Sequence, residues 1–415
     1  MPKIIFYHGI NMNIGMLLNA PYPSDVRVHK EAKALLAAGH KVFLLCIRRV
    51  GEKKYDSADG IQITRIDGGS STFWLAFWDI ILSVSFLHPV FYYHIARWIA
   101  ENQIDVLHVH DLPLAGTALR VKRKSGIRVV VDLHENYPDA LGVWFSWKKN
   151  PLAQLKNKLF MNPERWRKHE GRAVKEADKV IAVVEEMRER LLRDYGIEQE
   201  KVVVVTNTEE KSFIQQPLFP DVYDKHKGNF IVAYTGNIGP HRGVDTVIEA
   251  MALLKNQPIH FVISGKGNAA VMNYLHKLVK QHGLEKQVFF YGHQPFNRFY
   301  SLMHYADVNI IPHKSNAHTN HTIPHKLFQA MMAGKPLIVS SCFPLKRIVE
   351  ATRAGLIYRD EDTADCASKI LELFHNPELC KTLGTNGVNA TLNGAWNWEH
   401  TSRILTDLYN SLDHE

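Results

Sequence analysis

The sequence contains little cysteine. Its 415 residues include four, Cys46, Cys342, Cys366 and Cys380. None of them lies at CxxC spacing, which argues against a zinc knuckle and a disulfide framework and is typical of a reducing cytosol. The opening residues, Met1–His8, lack the apolar run and the small-residue cleavage site of a secretory signal. We therefore expect a cytoplasmic protein.

An uninterrupted apolar run of membrane-spanning length is also absent. The stretch Phe73–Tyr93 is apolar but contains Asp79, His88 and Pro89. A spanning helix needs roughly 20 mostly apolar residues, so we predict no span, while a helix lying on the inner face of the cytoplasmic membrane stays open. A second stretch, Trp144–Arg172, interleaves basic and aromatic residues. This pattern fits contact with anionic lipid or nucleic acid, and equally a solvated helix face with buried aromatics.

Acidic residues are outnumbered, 42 against 50 basic ones, and the formal net charge is +8. This balance favours an anionic partner, which leaves nucleic acid, a membrane surface and a phosphorylated substrate open. The sequence has neither a solenoid repeat nor the GxxxxGK[ST] pattern of a P-loop, so ATP hydrolysis is not indicated.

What the sequence does contain is a repeated alternation of short β-branched runs with helical patterns such as Val26–Ala38. This alternation predicts parallel sheets with helices on both faces. It fails between Thr208 and Gly228, where Pro217 and Pro220 lie, and this segment is the predicted linker. The predicted strands are Ile14–Leu18, Val42–Cys46, Val106–Val109, Val129–Asp132, Val180–Val184, Val202–Val205, Phe230–Tyr234, Phe261–Ile263, Val288–Tyr291, Val308–Ile311 and Pro336–Val339, with an extra one over Met1–Tyr7.

The second half carries two glycine-rich turns that follow predicted strands. Tyr234–Gly243 precedes the predicted helix Val244–Leu254, and Ile263–Asn268 follows the next strand. Glycines at a strand-to-helix turn let backbone N–H groups approach a phosphate, and Arg242 adds a fixed positive fork. A plain tight turn is the alternative for both.

A longer polar segment, His318–Val339, leads through Pro324 into a helix that ends at Gly334. Lys326 lies in the first turn of this helix, where a cation opposes the helix dipole unless an anion binds there. An ordinary surface lysine is the alternative.

Histidines and acids lie at two strand ends of the first half. His108 and His110 share one strand face, and Asp111, His134 and Glu135 lie nearby in the sequence. Together they could form a metal site. However, spacing alone does not bring three ligands to one point, and a histidine that contacts a sugar hydroxyl is favoured. We therefore expect no metal.

In these segments the sequence resembles the retaining glycosyltransferases of family 4, a resemblance that covers nearly the whole chain. It implies the α/β GT-B fold: two doubly wound Rossmann-like domains that face each other across a cleft, with a C-terminal helix crossing back to the N-terminal domain. The implied boundaries are 1–207, a linker at 208–228, 229–395 and a closing helix at 396–415. The matching segments are Leu17–Val28 with Lys30–Ala32, Asp132–Glu135, Tyr234–Gly243, Pro324–Gln329 and Trp396–Trp398.

The sequence departs from the family pattern at two positions. The two glutamates that the family has seven residues apart fall at His321 and Gln329, and neither is glutamate. Asn237 stands where many members have arginine, so one phosphate cation is missing, and Lys326 is the residue expected to compensate. A subgroup of bacterial surface-polysaccharide enzymes has a similar sequence in this segment.

The resemblance implies transfer of a hexosyl or N-acetylhexosaminyl group, with retention, from a UDP- or GDP-linked donor to a glycan or lipid-linked acceptor. It implies no cofactor, no metal and no nucleic acid, and leaves peripheral contact with anionic membrane open. His134, Arg242 and Lys326 would be catalytic. The implied donor residues are Gly236, Asn237, Gly239, Lys266, His293, His321, Thr322, Ile323 and Gln329, and the implied acceptor-side residues are Asp25, Arg27, His110, Asp111 and Glu135.

Three other functions stay open from the sequence. A nucleotide-sugar epimerase of the same architecture would need no acceptor. A catalytically silent protein that binds nucleotide sugars or glycans would fit the two absent glutamates. A nucleic-acid binder would fit the charge, although nothing in the sequence resembles a nucleic-acid module.

Overall fold

The computed structural model describes residues 11–23, 25–68, 72–145 and 161–412 of the chain. It divides into two compact units. The first unit comprises Met1–Thr206 with Ser402–Glu415, and the second comprises Asn207–Thr401.

The first unit is built on an eight-stranded sheet of order β3-β4-β2-β1-β5-β6-β7-β8. All neighbouring strands pair in parallel except the β3–β4 hairpin. The strands are β1 (Asn13–Leu18), β2 (Lys41–Ile47), β3 (Tyr55–Ala58), β4 (Ile61–Ile66), β5 (Val106–His110), β6 (Arg128–Leu133), β7 (Lys179–Ala182) and β8 (Val202–Val204). The helices of this half are α1 (Val26–Ala37), α2 (Thr72–Ser85), α3 (Pro89–Asn102), α4 (Leu112–Ser125), α5 (Tyr137–Phe145), α6 (Pro163–Glu176) and α7 (Glu185–Tyr195).

The second unit has a six-stranded, all-parallel sheet of order β11-β10-β9-β12-β13-β14. Its strands are β9 (Phe230–Thr235), β10 (Ile259–Ser264), β11 (Val288–Gly292), β12 (Val308–Ile311), β13 (Leu337–Ser340) and β14 (Gly355–Tyr358). The helices of the rest of the chain are α8 (Val244–Leu253), α9 (Ala269–His282), α10 (Phe299–His304), α11 (Lys326–Met332), α12 (Phe343–Thr352), α13 (Thr363–Phe374), α14 (Pro377–Val388) and α15 (Trp398–Leu412).

In each sheet the strand order reverses at one place. The chain winds outward from β1 through β2 and then continues with β5 on the other side of β1, and it does the same at β9 with β10 and β12. Ligands of doubly wound sheets bind beyond the carboxyl ends of the strands at such switch points. The loops after β1, β5, β9 and β12 are therefore where the candidate residues matter most.

The eleven strands predicted between Ile14 and Val339 are confirmed to within a few residues, because most of them are β-branched apolar runs that the sheet buries. Val288–Tyr291 is instead mainly aromatic and mostly half-buried. The β3–β4 hairpin and β14 were not predicted. The additional strand over Met1–Tyr7 lies outside the described residues, as do residues 146–160 of the basic and aromatic stretch.

The segment 208–228, predicted as a linker, belongs to the second unit. It forms two short 3₁₀ turns, Lys211–Gln215 and Pro220–His226. Val222 and Tyr223 pack into a core cluster with β9 residues, and the Tyr223 hydroxyl donates to the Leu302 carbonyl at 2.7 Å. This segment is therefore part of a folded core.

The apolar stretch Phe73–Tyr93 falls on two helices, because α2 ends at Ser85 and α3 begins at Pro89. Within the described ranges, no helix is long and apolar enough to cross a membrane.

Candidate functional site

The loop after β9 in the second unit is shaped by its glycines. Gly236 has φ 132° and Gly243 has φ 66°, values that favour glycine. A Cβ on Gly243 would overlap the carbonyl oxygen of Pro312, and a Cβ on Gly265 would overlap that of Gly236. The loops after β9, β10 and β12 therefore touch backbone to backbone, which only glycine allows at these points.

Lys326, at the start of α11, points into this loop. Its amine lies 3.6 Å from the centroid of the Tyr234 ring. It also lies 3.6 Å from the point that a Cβ atom would occupy if Gly236 had a side chain. The amine is buried, and no hydrogen-bond partner for it exists among the residues that the structure describes. Burial, with a further contribution from Arg242, lowers the pKa of Lys326 well below its usual value. A buried amine without a partner is the arrangement expected where an anion binds.

Arg242 is held beside Lys326 by a histidine. Its Nη1 donates to Nε2 of His313 at 2.9 Å. Burial, followed by the charges of Arg242 and Lys326, holds the pKa of His313 well below its ordinary value, so the ring is neutral and able to accept. Burial and Arg242 likewise lower the pKa of His241 to about 3. The Arg242 guanidinium and the Lys326 amine therefore lie near two histidines whose lowered pKa favours the neutral ring, at the switch point of the sheet.

The other predicted donor residues differ in their surroundings. Asn237 is exposed, and its carbonyl accepts from the Tyr234 hydroxyl at 2.6 Å. The side chains of Lys266 and His293 are also exposed. Gly239 precedes the Pro240–Arg242 turn, and Ile238 is buried behind it.

The segment before α11 is ordered by local hydrogen bonds. His321 Nδ1 bonds the Ala317 carbonyl at 2.7 Å, and Thr322 Oγ1 donates to the His318 carbonyl at 3.2 Å. Ile323 is buried, while His321 and Thr322 are half-buried. The polar side chains of this loop are thus partly accessible.

Gln329 makes a contact that the sequence did not predict. Its Nε2 donates to Oε2 of Glu209 at 2.6 Å, and His325 Nε2 lies 3.1 Å from the same oxygen. Gln329 and Glu209 are both buried. A carboxylate from the segment after β8 therefore reaches the helix position where the family has a glutamate.

In the first unit the predicted acceptor-side residues lie at the carboxyl ends of β1, β5 and β6. Asp25 caps α1 by accepting from the Arg27 backbone N–H at 3.0 Å, and its carboxylate also pairs with the Arg27 guanidinium at 2.8 Å. Burial raises the pKa of Asp25, but the bonds to Arg27 outweigh it and the net pKa is lowered. Asp111 has φ 63°, and burial raises its pKa to about 6. Arg27 is close enough to Asp111 and Glu135 for their charges to raise its own pKa.

A buried cluster of histidines and carboxylates lies behind these residues. His134 Nε2 bonds Asp132 Oδ2 and lies 3.5 Å from Glu31 Oε1. Burial lowers the pKa of His134, but the Asp132 carboxylate outweighs it and raises the pKa well above normal. Burial, with the charge of His108, lowers the pKa of His110 to about 3. The environment of the cluster therefore favours the charged form of His134 and the neutral form of His110.

Sequence reasoning missed several residues that shape these sites, namely Glu31, Glu209, His313 and Tyr409. For two of these residues the sequence position relative to a predicted element could have indicated a role. Glu31 lies one helical turn after Arg27, and His313 lies two residues beyond a predicted strand. Glu209 and Tyr409 had none, because their partners are 120 and 301 residues away.

Two family models match the chain. The model described as Glycosyltransferase Family 4 matches residues 25–208, and the one described as Glycosyl transferases group 1 matches residues 215–390. Together they span both units.

Relatives and solved structures agree with these models. The chain is 25% identical to a Bacillus subtilis protein named glycosyltransferase EpsD, over 77% of this chain and 80% of that one. It is 26% identical to an Escherichia coli protein named colanic acid biosynthesis glycosyl transferase WcaI, over 59% and 58% of the two chains. The structure of HepE from Anabaena in complex with UDP-glucose superposes with a TM-score of 0.70 at 16% identity, covering 97% of this chain and 100% of HepE.

Proposed function

Because the chain belongs to glycosyltransferase family 4 and has the GT-B fold, we propose that it transfers a sugar, with retention at the anomeric carbon, from a nucleoside diphosphate sugar to a glycan or lipid-linked acceptor. The observation that carries the proposal is the buried amine of Lys326 beside Arg242, at the switch point of the second sheet. Among the described residues this amine has no hydrogen-bond partner. A diphosphate is the anion that two adjacent cations would take.

The proposed chemistry breaks the bond between the anomeric carbon and the diphosphate oxygen. Negative charge grows on the leaving oxygen, and Arg242 and Lys326 would stabilise that charge, the task that a metal ion performs in other transferases. The acceptor oxygen forms the new bond to the anomeric carbon on the same face, and its proton passes to the leaving phosphate. No metal is needed at the diphosphate in this scheme.

We propose UDP as the donor nucleotide, because HepE, which has the same fold, binds UDP-glucose in its solved structure. GDP is the alternative that the binding experiment must include. The similarity to WcaI, a protein of colanic acid biosynthesis, supports an acceptor of the surface-polysaccharide class. A cytoplasmic site of action and peripheral membrane contact are further proposals. The roles of His134, Asp25, Arg27, His110, Asp111 and Glu135 toward the sugars stay predictions.

Arg242→Ala tests the proposal. We expect turnover to fall by about 10²–10³, the usual effect of removing one donor to a developing oxyanion, because the guanidinium would stabilise the leaving phosphate. Sugar release and transfer would be measured with UDP- and GDP-sugars against a panel of glycan and lipid-linked acceptors. Arg353→Ala, which removes an exposed arginine of the same unit directly after α12, is the control.

Thermal shift with UDP and GDP separates binding from chemistry. Stabilisation by one diphosphate in wild type and Arg353→Ala, reduced in Arg242→Ala, is expected. Product formation without an acceptor would indicate an epimerase, and binding without any product would indicate a silent nucleotide-sugar binder. Near-normal turnover of Arg242→Ala would contradict the assignment.

A further inference from the structure

The first unit contains four buried side chains whose ligand atoms converge on one point. Glu31 comes from α1, His108 and His110 from β5, and Asp132 from β6. One ligand atom from each lies within 4.8 Å of the others. His110 is 2% exposed, and contact with an acceptor sugar would not by itself account for this burial.

The distances between these atoms have the size of the edges of a coordination tetrahedron. His108 Nε2 lies 3.2 Å from Asp132 Oδ2 and 3.4 Å from Glu31 Oε2. His110 Nδ1 lies 3.5 Å and 3.8 Å from the same two oxygens. Four ligands at about 2.0–2.1 Å from a tetrahedral ion lie about 3.3–3.4 Å from one another. These four distances differ from the tetrahedral edge by at most about 0.5 Å, and all four ligand atoms lie within 4.8 Å of one another.

Several polar atoms of the cluster lack partners. In the described part of the chain, Glu31 Oε2 and both ring nitrogens of His110 make no hydrogen bond. Burying a polar group without a partner is costly, and burying two carboxylates together is more so. A divalent cation would occupy these atoms of Glu31 and His110, and with His134 in its neutral form it would match the charge of Glu31 and Asp132.

The surroundings resemble the outer shell of a metal site. His108 uses Nε2 toward the cluster, while its Nδ1 lies 2.6 Å from the Tyr409 hydroxyl. Nε2 of His134 contacts a carboxylate oxygen of Glu31 and one of Asp132. Metal-binding histidines and carboxylates are usually oriented by such second partners.

We propose that Glu31, His108, His110 and Asp132 bind one first-row divalent metal ion, of which Zn²⁺ is the representative. Two imidazoles and two carboxylates fill all four positions of a tetrahedral ion and leave none for water or substrate, which makes the site structural. The ion ties α1 to the carboxyl ends of β5 and β6. The proposed site is separate from Arg242 and Lys326, which lie in the other unit.

The test uses the full chain, stripped of metal with a chelator and then dialysed. Co²⁺ is titrated in and followed by the visible absorption of tetrahedral cobalt, and Zn²⁺ is titrated in competition. We expect one equivalent per chain in wild type and a Zn²⁺-dependent rise of the melting temperature. His110→Ala should weaken binding by at least about 100-fold, and Tyr409→Phe by about 10–100-fold, the effect of losing an outer partner.

His88→Ala is the matched control, because His88 is also a buried histidine of the first unit and lies outside the cluster. It should bind Co²⁺ as wild type does. Glu31→Gln, nearly the same size as the native residue, decides the matter if circular dichroism shows that His110→Ala does not fold. Absence of stoichiometric binding in wild type, or binding retained in both His110→Ala and Glu31→Gln, would overturn the proposal. UDP stabilisation, measured on the same samples, reports the other unit, so the two proposals fail separately.

Discussion

Lys326 places a buried amine where the residues that the structure describes offer it no hydrogen-bond partner. Its amine is buried against the Tyr234 ring, and burial together with Arg242 lowers its pKa. Such an arrangement reduces stability, and it is retained at functional sites because an anion relieves it on binding.

Lys326→Met should therefore stabilise the ligand-free protein while removing its response to diphosphate. Removing a buried donor without a partner recovers about 1–3 kcal/mol of unfolding free energy. Since the folded-state pKa lies below 10.5, the cost to wild type is present at neutral pH and disappears as pH rises toward 10.5. The difference between variant and wild type should shrink over that window. Denaturant unfolding at several pH values, with and without UDP, measures both effects.

Lys255→Met is the matched control, because Lys255 is exposed. It should change neither stability nor the response to UDP. A Lys326→Met protein that is still stabilised by UDP as wild type is would contradict the anion site.

The site residues could be predicted where the residue type and its position in a local motif both indicate the same role. Arg242 and Lys326 were predicted from a glycine-rich turn and a helix start, and the structure brings them together. His313 and Glu209 were not predicted, because what matters about them is a contact across the fold. The sequence also could not reveal that His110 is enclosed and that Glu31 lies 3.8 Å from it.

At the scale of elements, α11 is joined to the segment after β8 by Gln329 and Glu209. Gln329→Glu would restore the glutamate of the family pattern and would place two carboxylates at a buried contact of 2.6 Å. We expect a loss of about 2–5 kcal/mol at neutral pH, because the repulsion is uncompensated. The loss should shrink at acidic pH, since one proton shared between the two groups restores a hydrogen bond.

The double variant Glu209→Gln with Gln329→Glu exchanges the two groups and should recover most of the stability. Chemical denaturation of the two single variants and the double variant gives the coupling free energy. Losses that simply add, within about 0.5 kcal/mol, would mean that the pair does not interact.

The helices and strands could be predicted where their residues are mostly buried and therefore mostly apolar. The interior strands read as apolar runs because both faces of a parallel sheet are covered. The hairpin strand Tyr55–Ala58 has all four residues exposed, so it has no such signal. Segment 208–228 looked like a linker because its apolar residues are spaced irregularly, yet Phe213, Val222 and Tyr223 are buried.

At the scale of the whole molecule, each unit has its own sheet and its own candidate ligand, so each ligand should protect its own unit. Some amides of the second unit exchange their hydrogen only when that unit unfolds. UDP at 100 times its Kd should slow the exchange of these amides by up to about 100-fold. The first sheet should be unchanged by UDP and should respond to Zn²⁺ instead. Hydrogen exchange followed by mass spectrometry of peptides measures both patterns, and equal protection of both sheets by UDP would contradict this independence.

The contact between Gly243 and the Pro312 carbonyl also limits how this gene can change. Every codon that is one base away from a glycine codon encodes another glycine, a residue with a Cβ, or a stop. A saturation library at position 243 should therefore retain one amino acid under selection for transfer, even though the residue bears no functional group. Glycine would be invariant at position 243 because two backbone segments are in contact there. A mutational scan that identifies catalytic residues only by their intolerance to substitution would wrongly include this glycine.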